Sequence, residues 1–343
     1  MTGPEGLDLD ALRRWLDDQA PGLLAGPLEA TLITGGKSNL TYAVTDGERD
    51  VVVRRPPLGH VLATAHDMTR EHRVIDALAG TAVPVPATYG LCQDDAVIGA
   101  PFYVMERVVG TPFARAAQLV EIGEERTRTI TERMVDVLAD LHAVSPDEVG
   151  LGDFGRPDGY LERQVRRWKK QLDASRSRDL PGMDDLIARL DSSIPTSSEG
   201  TIVHGDYRLD NVLVDTRPEG GDRLTAVLDW EMSTLGDPLT DVAILLAYQQ
   251  LAESAADGPG AAMVTDAAKA PGYLPREEVL RRYAERSGRD VSDIDFHLAL
   301  AFFKLAVILE GIHYRHAHGQ TLGAGFDGIG DLIEPLIQAG LRA

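Results

Sequence analysis

The sequence predicts an α+β fold in two lobes, a small antiparallel sheet followed by a larger and mostly helical part, and three observations predict it. The chain has 343 residues, which at about 150 residues per domain suffices for two cores. Its first third alternates short runs rich in Val, Thr and Tyr with tight-turn residues, the pattern of strands joined by hairpins. From Glu121 onward, apolar residues recur at the three-to-four spacing of helices. The expected division is 1–107 for the small lobe and 108–343 for the large one.

The elements follow in order. A helix spans about Leu7 to Gln19, and Leu28–Thr34, Leu40–Thr45 and Val51–Arg54 read as strands. The connections Gly35-Gly36-Lys37-Ser38-Asn39 and Asp46-Gly47-Glu48 carry the residues that tight turns require, so an antiparallel meander is the economical arrangement. A helix from about Ala65 to Ala79 ends before Val83-Pro84-Val85-Pro86, because each proline pushes its predecessor out of the helical region. Pro101 to Val109 reads as one more strand. In the second lobe, Met134, Val135, Leu138 and Leu141 share a helix face, as do Leu161, Val165, Trp168 and Leu172. A strand island interrupts the helices at Thr201–Val203, Val212–Val214 and Leu224–Leu228. The apolar run Leu298–Leu309, broken by Lys304, falls short of the ~18 residues a membrane span needs and reads as a buried core helix.

Charge narrows the partners. Lys and Arg number 34 against 54 Asp and Glu, a net charge of -20, and such a field repels nucleic acid and anionic membranes. Neither is an expected partner. The single cysteine, Cys92, excludes an internal disulfide and suits a reducing compartment, so the cytoplasm is the default location. The first residues lack the basic-then-apolar order of a leader peptide.

Two carboxylate-bearing loops carry the sharpest signal. His204-Gly205-Asp206-Tyr207-Arg208-Leu209-Asp210-Asn211 and Val227-Leu228-Asp229-Trp230-Glu231 each abut a short apolar strand. Phosphoryl transfer from ATP needs an aspartate that orients or deprotonates the attacking hydroxyl, and an Asn and a second Asp that hold Mg2+ against the phosphates. Asp206, Asn211 and Asp229 have the right types in the right order. An Asx-rich loop that merely satisfies its own backbone is the bland alternative.

With these motifs the sequence resembles the aminoglycoside phosphotransferase-like kinases, small-molecule kinases of the protein-kinase-like fold. Gly35-Gly36-Lys37-Ser38-Asn39, Arg54-Arg55-Pro56-Pro57, the Ala65-His66-Asp67-Met68 to Arg70-Glu71 run and Leu235-Gly236-Asp237-Pro238 make it most similar to the kinase-like domains associated with acyl-CoA dehydrogenases. The resemblance implies ATP and Mg2+ as cofactors and a small-molecule hydroxyl as acceptor. It makes Asp206 the catalytic base, Asn211 and Asp229 the metal ligands, and His204 and Asp241 supports of the catalytic loop. Arg208 falls where protein kinases keep a lysine on the transferred phosphate; a surface arginine is the other reading. In the small lobe, Gly35, Gly36, Lys37, Ser38 and Asn39 would lie over the phosphates, although an ordinary hairpin turn also accounts for them. Arg54 would bind the α and β phosphates with Glu71 as its ion-pair partner. Arg55 is a rival, since alternation along a strand lets only one of the two face the nucleotide. Backbone groups of Glu106 and Val108 would pair with adenine, with an edge strand as the alternative.

Other signals are set aside or stay open. Gly36-Lys37-Ser38 mimics the end of a P-loop, but the first glycine of that motif would be residue 31, which is Thr31. Asp229 is followed too closely by the next helix for a phosphorylatable activation loop, which disfavours protein-kinase activity. His142 reads as a helix-end residue. The basic run Arg163, Arg166, Arg167, Lys169 and Lys170 is either a solvated helix face or a dock for an anionic handle such as the phosphates of coenzyme A. A polycationic aminoglycoside would instead use the acidic charge, so both acceptor classes stand. A catalytically silent nucleotide-binding regulatory module is the alternative to a kinase.

Overall fold

The computed structural model describes residues 3–33, 39–58, 67–196, 200–254, 264–320 and 326–343. The chain forms two compact units, one of residues 1–110 with 225–233 and one of residues 111–224 with 234–343. The stretch Thr225–Ser233, which carries Asp229, thus packs with the first unit, whereas its place in the sequence had assigned it to the second.

The first unit opens with α1 (Leu9–Gln19), started by the Asp8 carboxylate, which accepts the Ala11 N–H at 2.9 Å. Its sheet comprises β1 (Glu29–Leu32), β2 (Leu40–Thr45), β3 (Asp50–Arg55), β4 (Thr88–Cys92) and β5 (Phe102–Glu106), with α2 (Met68–Leu78) between β3 and β4. The order is β1-β2-β3-β5-β4 and the pairs are antiparallel, with Ala43 opposite Val52 and Val53 opposite Val104. The meander of the first three strands is as expected. β4 went unread because its five residues include Gly90 and pair through an irregular register. α1 buries Leu12 and Leu16 against Val53, Phe102 and Val104, and the Trp15 ring meets Phe102 edge-on at 4.8 Å. Each large aliphatic side chain buried this way is worth about 1.5–3 kcal/mol. Cys92 is a free, buried member of this core.

The second unit is mostly helical: α3 (Ala116–Ile122), α4 (Glu124–Ala143), α5 (Tyr160–Ser175) and α6 (Met183–Ser192) precede its short strands. These are β6 (Thr201–Val203) and β7 (Val212–Asp215), then β8 (Arg223–Val227), in which the chain passes to the first unit, and β9 (Thr234–Gly236). α7 (Leu239–Ser254), α8 (Arg276–Ser287), α9 (Ile294–Ala317) and α10 (Ile333–Arg342) complete it. β9 pairs antiparallel with β6, placing Leu235 opposite Ile202. Three residues ending in glycine left no readable strand signal, yet Gly236 is needed there, since a Cβ would lie 2.6 Å from the Tyr160 ring. α9 is long and apolar enough to cross a membrane by length and composition, but 72% of its most apolar window is buried, as expected of a core helix. It packs against α5, α7 and α10.

Candidate functional site

In the first unit, β3 delivers Arg54 and Arg55 to opposite sides of the sheet. Arg55 turns into the core and donates to the carbonyls of Gly6 and Ile98. Arg54 faces the other way, with Nε 2.8 Å from Glu71 Oε1 on α2 and Nη2 2.7 Å from Asp229 Oδ1. Glu231 Oε2 lies 3.9 Å from the same guanidinium and accepts from Asn39 Nδ2 at 3.2 Å. Asp229 sits in the left-handed region at φ 66°, ψ 59°, a conformation that aspartate adopts more readily than most non-glycine residues.

One guanidinium here serves three carboxylates. Glu71 is 2% exposed; burial, helped by the charges of Asp229 and Glu231, pushes its carboxyl up to about 7 despite Arg54 beside it. Arg54 also loses solvation, but its acidic neighbours outweigh that and hold it firmly protonated.

In the second unit, β6 runs into His204-Gly205-Asp206, and Gly205 turns the chain at φ 85°, where glycine alone is at ease. Asp241, fully buried on α7, accepts the His204 N–H at 2.6 Å and the Gly205 N–H at 2.7 Å. Asp237, just before α7, accepts the Leu239 N–H at 2.9 Å and so caps the start of that helix. His142 Nε2 lies 3.3 Å from Asp241 Oδ2 and His142 Nδ1 lies 2.7 Å from the Tyr283 hydroxyl. Because a carboxylate only accepts, Nε2 carries a proton and donates it to Asp241. His142 is a helix-end residue as expected, but it is buried and braces Asp241. Burial works to raise Asp241, and the bonds from His142 and Gly205 overcome it, leaving the carboxyl below its ordinary value.

The loop aims Asp206 by both oxygens. Oδ1 accepts the Tyr248 hydroxyl at 2.9 Å and Oδ2 accepts Asn211 Nδ2 at 3.1 Å, while Asn211 also donates to the Asp206 carbonyl at 2.9 Å. Arg208 stands between two acids, 3.3 Å from Asp206 Oδ2 and 3.3 Å from Asp210 Oδ2, with its guanidinium over the Tyr248 ring at 4.9 Å. Lys304 donates to the Gly205 carbonyl at 2.6 Å. Desolvation would raise Asp206, yet Arg208, Lys304 and the Tyr248 bond together hold it below the usual carboxylate range. The His204 ring accepts the Asp206 N–H through Nδ1 at 3.2 Å.

Two recesses flank this loop within the second unit. One is lined by Tyr160, Gln164, Trp168, Gly205, Asp241 and Lys304, the other by Phe113, Arg208, Asp210, Tyr248, Gln249 and Tyr273.

The structure therefore gathers Asn39, Arg54, Glu71 and Asp229 in the first unit, and His204, Asp206, Arg208, Asn211 and Asp241 in the second. Glu106 ends β5, where its N–H donates to the Ala87 carbonyl at 2.8 Å, and Val108 lies two residues beyond it. Gly35, Gly36, Lys37 and Ser38 lie outside the described residues. The basic run is partly engaged locally: Arg163 bonds the carbonyls of Arg156 and Asp158, and Lys169 pairs with Asp191 at 2.7 Å. Sequence reasoning missed Glu231, Tyr248, Tyr283 and Lys304. Tyr248 could have been found two turns after Asp241 on one helix face, and Lys304 as the one charge in an apolar run.

Among the described residues no group of three or more His, Cys, Asp or Glu side chains is arranged to hold a metal ion. The carboxylate oxygens of Asp229 and Glu231 in the first unit are nevertheless hard donors of the kind Mg2+ accepts, and that ion keeps waters and phosphate oxygens in place of a full protein cage. The donor chemistry fits.

A family model described as "Phosphotransferase enzyme family" matches residues 29–284. Acyl-CoA dehydrogenase family member 10 of Mus musculus is 36% identical over 96% of the chain, and the chain spans 30% of that relative's length. A crystal structure from Ralstonia eutropha JMP134, provisionally assigned as an aminoglycoside phosphotransferase, is 35% identical with a TM-score of 0.83, covering 98% of this chain and 97% of that one. A thermostable mutant of the aminoglycoside phosphotransferase APH(4)-Ia, in ternary complex with AMP-PNP and hygromycin B, shares the fold at 16% identity, with a TM-score of 0.60 and coverage of 97% and 98%.

Proposed function

Because the chain belongs to the phosphotransferase enzyme family, we propose that it moves the γ-phosphoryl group of ATP, with Mg2+, to a hydroxyl of a small molecule. The observation that carries this reading is the Asp206 carboxylate, kept ionised and aimed by both of its oxygens. A carboxylate so held lines up an incoming O–H and takes its proton as the bond to phosphorus forms, a positioning role first and a basic one second.

The remaining assignments follow the family resemblance. Bound Mg2+ would neutralise phosphate charge, with Asp229 and Asn211 as its protein donors. Arg54, fixed by Glu71 at 2.8 Å, would hold the α and β phosphates. Arg208 would meet charge on the transferred group. Gly35, Gly36, Lys37, Ser38 and Asn39 are assigned to the phosphates, and the backbone of Glu106 and Val108 to adenine. His204 and Asp241 keep the loop in shape.

The APH(4)-Ia complex was formed with AMP-PNP and hygromycin B, which supports a nucleotide donor and an alcohol acceptor here. Two acceptor classes suit this chain: an aminoglycoside-like polyol, favoured by the acidic charge, and a hydroxyacyl-CoA-like thioester, favoured by the acyl-CoA dehydrogenase relative. Incubation with MgATP and a panel of both classes, read by mass spectrometry for a phosphorylated product, tests the reading. A phosphate adduct with one class and ADP in equal amount is the expected result. MgATP binding without ADP release from any acceptor would instead make the chain a nucleotide-binding regulatory module.

A further inference from the structure

An acceptor alcohol must give its O–H to an oxygen of Asp206 before transfer. Oδ2 is engaged by Asn211 Nδ2 at 3.1 Å and faces Arg208 Nε at 3.3 Å, which leaves Oδ1 as the oxygen for the acceptor. Oδ1 already takes a hydroxyl proton, from Tyr248 at 2.9 Å. We propose that the Tyr248 hydroxyl holds the acceptor's place on Asp206, so that phosphoryl transfer to water is suppressed until an acceptor displaces it; this rests on the phosphotransferase reading above.

Three features fit a placeholder. Tyr248 lines a recess together with Phe113, Arg208, Asp210, Gln249 and Tyr273, so an acceptor seated there would lie against it. The Arg208 guanidinium lies over that ring at 4.9 Å, so displacing Tyr248 also frees a cation that the proposed reaction uses. Burial beside Asp206 pushes the phenol well above its ordinary value, which keeps it a donor and a poor nucleophile. A water at Oδ1 would be oriented as an alcohol is, and would take the phosphoryl group with its proton passing to Asp206, leaving inorganic phosphate and ADP.

The test is ADP release from MgATP by the full chain without acceptor, alongside thermal shift with MgATP. Tyr248→Phe should keep the thermal shift and raise ADP release about tenfold, the scale of one hydrogen bond to a charged group. Adding Asp206→Asn should cancel the gain, because the water then has no carboxylate to orient it. If Tyr248→Phe does not melt cooperatively, 3-fluorotyrosine at position 248, a stronger donor of nearly the same shape, decides the matter and should release less ADP than tyrosine does. Unchanged or lower release by Tyr248→Phe with the thermal shift intact overturns the placeholder alone. Absence of any MgATP thermal shift, in the native protein as in the variants, overturns the phosphotransferase reading and the placeholder with it.

Discussion

Arg54 and Asp206 are placed in opposite electrostatic surroundings. Around Arg54, one guanidinium faces Glu71, Asp229 and Glu231; around Asp206, one carboxylate faces Arg208 and Lys304. In the first cluster a buried acid is forced up to about 7, and in the second a partly buried acid is held down. The difference teaches what each is for. A buried carboxylate crowded by other acids takes up a proton more readily, whereas one faced by cations stays ionised and keeps its aim.

The largest test strikes the second cluster at its centre. Asp206→Asn keeps the shape and removes the charge, so turnover should fall about 10²–10⁴-fold while MgATP binding persists. Full turnover would show that the ionised oxygen is not what the cations around it preserve. Next in size is Asp241→Ala, which strips the acceptor from two backbone N–H groups and from His142. Each buried group left unpaired costs about 1–3 kcal/mol, so urea unfolding should report a loss of about 3 kcal/mol or more, with turnover falling too. A loss below about 1 kcal/mol would mean that water replaces the carboxylate and that the loop is held elsewhere.

The sequence made the chemistry-bearing residues legible but not the way they are supported. Asp206, Asn211 and Asp229 stand out because a short loop needs specific side chains at fixed spacing, and Arg54 because a strand end and a helix acid fall in order. Alternation alone could not choose between Arg54 and Arg55; the choice came from Gly6 and Ile98, whose carbonyls take Arg55. His142 and Tyr283 are 141 positions apart and meet only because α4 and α8 pack together. No local pattern encodes such a meeting. β9 was illegible for a similar reason, since its partner β6 lies far back in the chain.

The first cluster is tested through pH. Glu71 titrates near 7 when folded against an ordinary 4.5, so the folded state binds its proton more tightly than the unfolded state does. Stability from that proton is whole below about pH 4.5 and is lost as pH rises through about 7. The loss is at most about 3 kcal/mol across that window. Glu71→Gln, which cannot titrate, should flatten this part of the stability curve measured by urea unfolding between pH 5 and about 8. A slope that survives the substitution would place the proton on Asp229 or Glu231 instead.

The smallest effect belongs to Lys304, which acts on Asp206 only through the field and on the loop through one hydrogen bond to Gly205. Lys304→Met keeps the apolar stem and should cost about 1.5 kcal/mol, the low end for a hydrogen bond from a charged group. Asp206 then keeps Arg208 but loses its second cation, and its carboxyl moves back toward the ordinary value. A depressed carboxylate contributes stability above its unfolded pKa and loses it as pH falls through the folded one, so in the variant both that loss and the acid limb of turnover should begin at higher pH. Adding salt should shift the native limb less than the substitution does, because a partly buried pair is weakly screened. An acid limb unchanged in Lys304→Met would leave Arg208 as the cation that keeps Asp206 ionised and reduce Lys304 to a strut beneath Gly205.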